Sequence, residues 1–244
     1  MSVDHEVIRA NSGALTAAQR RRLRAEIART LPGLLAGRLA WAAGRGGRGR
    51  TDLARVPDSG AAREAEELAR AELSTPVLAH SFRTYLFGKA LAGLDNATYD
   101  DEVAYIACLL HDLNLGTPTV GRCFAVAGGE RAAAFALGAG LAPERADAVG
   151  AAVAAHITPG VAADTGDPGG FVSAGAAVDV IGARIAELDR DWVGEVLTEH
   201  PRHNWKKVAI AAFRAEAKAV PEGRTALLLA AGFATTVRFA PFAE

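Results

Sequence analysis

The apolar positions of this chain fall in long blocks rather than in strict alternation. Val103 to Leu110 is an uncharged run, and Phe171 to Ile185 carries only Asp179 and Arg184 as charges. Blocks of this length without a period of two predict buried helices. The punctuation between blocks places their ends. Asp58 or Ser59 caps a helix over Ala61 to Leu73, and Thr75-Pro76 stops it ahead of a helix carrying His80 to Leu94. Asp100 or Asp101 caps the next, running from Glu102 to about Leu113, with Gly116 as a left-handed terminator and Pro118 preventing continuation. Further helices are expected over 128–139, 143–157, 171–187, 203–218 and 223–236. The predicted fold is all-α, a compact multi-helix bundle, with no internal repeat.

Residues 1–50 read differently. Leu15, Leu23, Ile27, Leu31, Leu34 and Leu35 recur at roughly helical spacing, broken by Pro32, beside the basic triplet Arg20-Arg21-Arg22. The tract from Gly44 to Arg50 contains only glycine and arginine, which cannot build a core, and reads as a linker. The expected organisation is a helical extension with its linker over 1–50 and a main domain over 51–244. The extension packs on that domain or on a second subunit, so a homo-oligomer is one expected assembly. The polar loop from Thr158 to Gly170 is either a pocket rim or lid, or a plain surface connection.

Composition narrows the class. Of 244 residues, 50% are hydrophobic and only 6% aromatic, which favours closely packed helices over a strand-rich sandwich. A net charge of −1 gives no general footprint for nucleic acid, which is not an expected partner. Cys108 and Cys123 are too few for a disulfide framework, and neither sits in a C-x-x-C motif. The start, Met1-Ser-Val-Asp-His-Glu, lacks the basic and apolar regions of a secretory signal. No stretch approaches the ~20 strongly apolar residues of a membrane span. A cytoplasmic protein with a small-molecule substrate and no membrane partner is expected.

The chemistry lies where charge interrupts apolar surroundings. His111-Asp112 closes the uncharged run from Val103; His80, His156 (after Ala151-Ala-Val-Ala-Ala) and Asp179 are placed alike. Burying ionisable groups costs several kcal/mol, or about that, unless something compensates, and a metal ion compensates imidazole and carboxylate together. Two His and two Asp suit zinc, iron, cobalt or manganese without choosing among them. The alternative is structural: satisfied core histidines, with the aspartates serving as caps or as ion-pair partners of Arg83 and Arg184. His5, His200 and His203 are read as solvated or structural.

The segments His80-Ser-Phe-Arg83-Thr-Tyr85-Leu-Phe87-Gly88, Leu109-Leu-His111-Asp112-Leu113 and Ala177-Val-Asp179-Val-Ile-Gly182 resemble the H…HD…D signature of the HD-domain superfamily, nearest to cyanamide-hydratase-like proteins. The resemblance runs from about Pro57 to Phe242, with weaker matches at Cys123-Phe124, His200-Pro201-Arg202, Gly232-Phe233 and Pro241-Phe242. It implies an HD-type metal-dependent catalytic domain in which His80, His111, Asp112 and Asp179 bind one divalent metal, zinc expected and iron, manganese or cobalt as alternatives. Relatives with two metals contribute additional histidines between the His-Asp pair and the last Asp, whereas this interval holds only His156. Nucleotide-directed relatives carry an acidic residue soon after His-Asp, whereas Asp112 precedes Leu113-Asn114-Leu115-Gly116. Asn114 stands where many relatives have glycine.

Around those ligands, Arg83 shares the helix face of His80 and is expected to steer a polar or anionic substrate; a structural salt bridge is its alternative. His156 is expected to polarise substrate, donate a proton or add a ligand, against a core role bonded to carbonyls. Phe124 is a candidate pocket wall. The leading expectation is a mononuclear metal hydrolase or hydratase that activates water for attack on a small nitrile-, cyanamide- or amide-like substrate, with Asp112 orienting the water and His156 and Arg83 stabilising developing charge. Two alternatives stand beside it: an HD-type phosphohydrolase of nucleotides or other phosphomonoesters, with Arg83 on the phosphate, and a non-catalytic metal-stabilised module that binds a small ligand.

Overall fold

The computed structural model describes residues 11–244; the readings made for His5 and for the N-terminal start lie outside them. Among the described residues there are eleven α-helices and no β-strand. They are α1 (Ala17–Ala42), α2 (Gly60–Glu72), α3 (Thr75–Leu94), α4 (Asp101–Leu110), α5 (Phe124–Gly138) and α6 (Pro143–Ala155). After them come α7 (Pro168–Ile181), α8 (Arg190–Glu199), α9 (Trp205–Ala219), α10 (Arg224–Ala230) and α11 (Phe233–Arg238). Short 3-10 turns lie at Val161–Ala163 and Ile185–Glu187.

The expected caps hold where a side chain can reach. Ser59 accepts from the Ala62 amide and Asp100 from Val103, and Asp167, a cap not anticipated from the sequence, accepts from Gly170; each quenches an amide that the first helical turn leaves unpaired. At the N-terminus of α3, Pro76 sits in the first turn, where its missing amide costs nothing. The uncharged run forms α4, and every residue from Val103 to Leu110 is buried.

Four expectations are corrected. Pro32 does not break the first helix: α1 runs through it, and because Pro32 is on the exposed flank, the carbonyl it frees can turn to water. Gly116 is not left-handed; after Leu110 the chain closes in tight turns, with Leu113 bonded to Leu110 and Leu115 to Asp112. The expected 223–236 helix is split by Gly232 at φ +91°, and the expected 171–187 helix ends at Gly182, at φ +66°. Helix α8 is an addition, started by Asp189 accepting from Trp192 and burying Trp192, Val193 and Val196. Its charged residues obscure that spacing in the sequence.

The Gly/Arg tract lies against the main body instead of spanning free solvent. Gly47 and Gly49 donate to the carbonyls of Leu188 and Glu187, and a Cβ on Gly47 would sit 2.1 Å from the Glu187 oxygen. Helix α1 is fastened at two places: Leu23 is buried in a small cluster with Leu15 and Leu227, and Arg38 donates to the carbonyls of Ile181 and Thr236.

The crossing of α3 and α7 sets up the site. At Gly175 an added Cβ would lie 1.9 Å from the Thr84 carbonyl, so only glycine permits this approach. One turn back along α3 from Thr84 is His80, and one turn on along α7 from Gly175 is Asp179. The two side chains are thereby brought into register. A similar close approach at Gly129 and Gly150 packs α5 on α6, the helix that ends at His156.

Candidate metal centre

His80 comes from the second turn of α3, His111 and Asp112 from the turn that leaves α4, and His156 from the C-terminus of α6. Ligand atoms of His80, His111 and Asp112 lie within 4.8 Å of one another, and all three residues are buried; together they could hold a metal ion. The two Nε2 atoms of His80 and His111 are 3.2 Å apart. Asp112 Oδ2 is 3.4 Å from His111 Nε2 and 3.8 Å from His80 Nε2. On the other side, His156 Nε2 is 3.7 Å from Asp112 Oδ1, so the histidine adjoins the group.

The opposite ring nitrogens determine the protonation. His111 Nδ1 is 2.7 Å from the Cys108 carbonyl oxygen, His156 Nδ1 is 2.6 Å from that of Val153, and His80 Nδ1 is 2.7 Å from Asp179 Oδ2. Each of these partners only accepts, so each Nδ1 carries the proton and each neutral ring presents a lone pair at Nε2. Burial lowers the pKa of His80, outweighing the opposite pull of Asp179; burial, then His111, lowers that of His156 further. Two lone pairs and a carboxylate therefore converge in buried surroundings, with the third imidazole, His156, adjoining them. A shared proton between His80 and His111 relieves one contact only, whereas one divalent cation relieves His80, His111 and Asp112 together. The Thr84 hydroxyl, 3.5 Å from His80 Nε2, is too distant to do so.

Asp179 is not part of that convergence. Its Oδ1 accepts from Arg83 Nε at 2.8 Å and Arg202 Nη1 at 2.5 Å, and its Oδ2 accepts from Arg83 Nη2 at 2.9 Å and from His80. Burial alone pushes this carboxyl up, but the Arg83 and Arg202 guanidiniums and the His80 bond hold it well below the ordinary carboxylate range. The structure thus places the expected fourth ligand behind His80, orienting the ring from its far nitrogen.

Arg83 is equally committed. Beyond Asp179 it donates to the carbonyls of His200 and Pro201, and it is fully buried, so it does not reach the ligand atoms as a substrate-steering residue would. Phe124 does approach the site: its ring meets that of His156 edge to face, with centroids 5.7 Å apart. Asp112 and His156 are 5% and 6% exposed against 1% for His80 and His111, so any opening to solvent lies on their side.

Sequence reading missed three participants. Trp205 stacks on the His80 ring at 4.2 Å between centroids. Arg202 clamps Asp179 and is itself bonded to Glu244. Arg224 reaches the carbonyl of Ala154 and the hydroxyl of Thr158, on either side of His156. A buried arginine has no local signature, although Arg202 follows the His-Pro step. His200 stacks on Phe82, a structural role as expected.

No protein-family model matches the chain, and no curated protein matches it either.

Proposed function

We propose that this protein is an HD-type, mononuclear metal-dependent hydrolase or hydratase that adds water to a small polar nitrile-, cyanamide- or amide-like substrate. The observation that carries the reading is the convergence of Nε2 lone pairs from His80 and His111 on the Asp112 carboxylate, with each Nδ1 already committed elsewhere. The donor set suits zinc, with iron, manganese or cobalt able to replace it. A divalent ion there supplies Lewis acidity, which makes water nucleophilic at neutral pH.

The chain's own residues supply the rest. Asp112 has one oxygen toward His80 and His111 and the other toward His156, so it can orient a water between ligand group and base. His156, kept neutral by burial, takes a proton at Nε2 while its Nδ1–H stays on Val153; it then returns the proton to the substrate atom that gains negative charge. Phe124 limits the space beside that base and favours a compact substrate.

Phosphoester hydrolysis draws less support. It relied on Arg83 for the phosphate oxygens, and those donors are spent on Asp179, His200 and Pro201. The test is metal analysis of purified protein together with a substrate panel. About one metal per chain and ammonia or amide release from cyanamide, nitriles or amides is expected, both lost in His111→Ala. Stoichiometric metal retained in His111→Ala, or inorganic phosphate as the only product released across the panel, overturns the reading. Unaltered ligand recovered after long incubation supports the binding module instead.

A further inference from the structure

Against the chain segments that carry His156 and Phe124 lies a second set of buried ionisable groups that this activity does not use. Glu216 of α9 and Arg224 of α10 are both fully buried, without a direct ion pair between them. They grip the same stretch of chain. Glu216 Oε1 accepts from the Phe124 amide at 2.9 Å, and Arg224 Nη2 lies 3.3 Å from the sulfur of Cys123, one residue earlier. Arg224 Nη1 also donates to the Ala154 carbonyl at 2.6 Å and to Thr158 Oγ1 at 2.7 Å. One guanidinium thus holds the chain two residues before and two residues after His156, and its positive charge sits at the C-terminal end of α6, where helix carbonyls lack partners.

From this we infer that Glu216 and Arg224 are positioning residues, which set the His156 ring and the Phe124 wall against the metal group. Stability alone does not explain them. Glu216 Oε2 and Arg224 Nε are buried without a partner, and an unmet buried polar atom is destabilising, so an apolar pair would serve the core better. What the charges provide is placement. The Ala154 carbonyl held by Arg224 fixes the last turn of α6, and the Val153 carbonyl in that turn holds His156 Nδ1, which leaves Nε2 directed at Asp112. Phe124, pinned at its amide by Glu216, closes against the same ring.

The inference rests on the proposed role of His156, yet it can be tested without substrate or metal. Histidine ring nitrogen spectra of the metal-free protein report the tautomer directly, with the His156 signal assigned by its loss in His156→Gln. In the wild-type protein, His156 is expected as a single Nδ1–H tautomer. Arg224→Met, folded by circular dichroism, is expected to give a mixture of both tautomers, and Arg224→Lys to restore part of the wild-type signal. Glu216→Gln is expected to shift the Phe124 ring resonances while leaving those of His80 and His111 in place. If Arg224→Met does not fold, Thr158→Val removes one of the two oxygens held by Arg224 Nη1 without burying a new group, and a smaller change of the same kind is expected. A single unchanged His156 tautomer in folded Arg224→Met, or in Thr158→Val, overturns the positioning role. Failure of the enzymatic reading shows instead as absent metal and absent turnover in a wild-type protein whose His156 tautomer is as described.

Discussion

Two buried aspartates lie on either side of His80, and their surroundings are opposite. Asp179 is fully buried and receives two guanidiniums and an imidazole N–H, so the protein itself balances its charge. Asp112 is 5% exposed and, among the described residues, pairs with no arginine or lysine; its ionisable neighbours are the imidazole nitrogens of His80, His111 and His156. Both carboxylates are held by packed chain, but only Asp112 lies in a group that could take up a cation. A buried charge by itself therefore does not mark a site; a buried charge whose neighbours cannot neutralise it does.

The largest way to break the contrast is to neutralise each aspartate in turn. Asp179→Asn leaves Arg83 buried without a counter-charge and Arg202 with Glu244 alone, and a loss of about 3–5 kcal/mol is expected, seen as a lower urea midpoint at unchanged slope. In the metal-free protein, Asp112→Asn removes an uncompensated charge and is expected to change stability by less than ~1 kcal/mol in either direction. Equal losses in the two variants would show that the environments do not differ as described.

A smaller effect sharpens the same comparison from the metal side. Zinc at a hundredfold excess over its dissociation constant stabilises a folded binder by about 2.7 kcal/mol. That gain is expected for the wild-type protein in thermal melts with and without chelator, and it disappears in Asp112→Asn and His111→Ala. An undiminished zinc-dependent rise in Asp112→Asn would remove Asp112 from the ligand set.

How much of this was legible in the sequence differs between the two aspartates. His111-Asp112 stands out because it closes an uncharged run, and that same run guarantees burial of α4. His80 and His156 were readable for the same reason. Asp179 was legible as buried, but its partners were not: Arg202 lies in the turn before α9, and its reach to α7 depends on helix packing that no local pattern encodes. The grip of Arg224 on α6 is hidden likewise, since it joins positions 70 residues apart. Helix starts were readable where a side chain caps them, as at Ser59 and Asp100. Helix ends were less so, because His111 leaves α4 through tight turns rather than through a glycine.

The smallest effect separates the histidines from Asp179 by pH. The folded-state pKa values of His80 and His156 are lowered, chiefly by burial, so the unfolded chain binds protons that the native state refuses. Native stability in the absence of metal is then fully present above the unfolded histidine pKa of ~6.5 and declines as pH falls below it, by up to about 1.4 kcal/mol per pH unit for each group. Asp179 is also depressed in the fold, but its unfolded pKa is about 3.9, so its contribution survives this first decline and is lost only at more acid pH. His156→Gln should therefore flatten the fall in urea midpoint between pH 7 and pH 5 while leaving the steeper acid limb in place. An unaltered slope in that upper window would mean that the fold does not depress the His156 pKa, so that the ring takes up a proton as readily in the native state as in the unfolded chain and is not held neutral by burial beside Asp112.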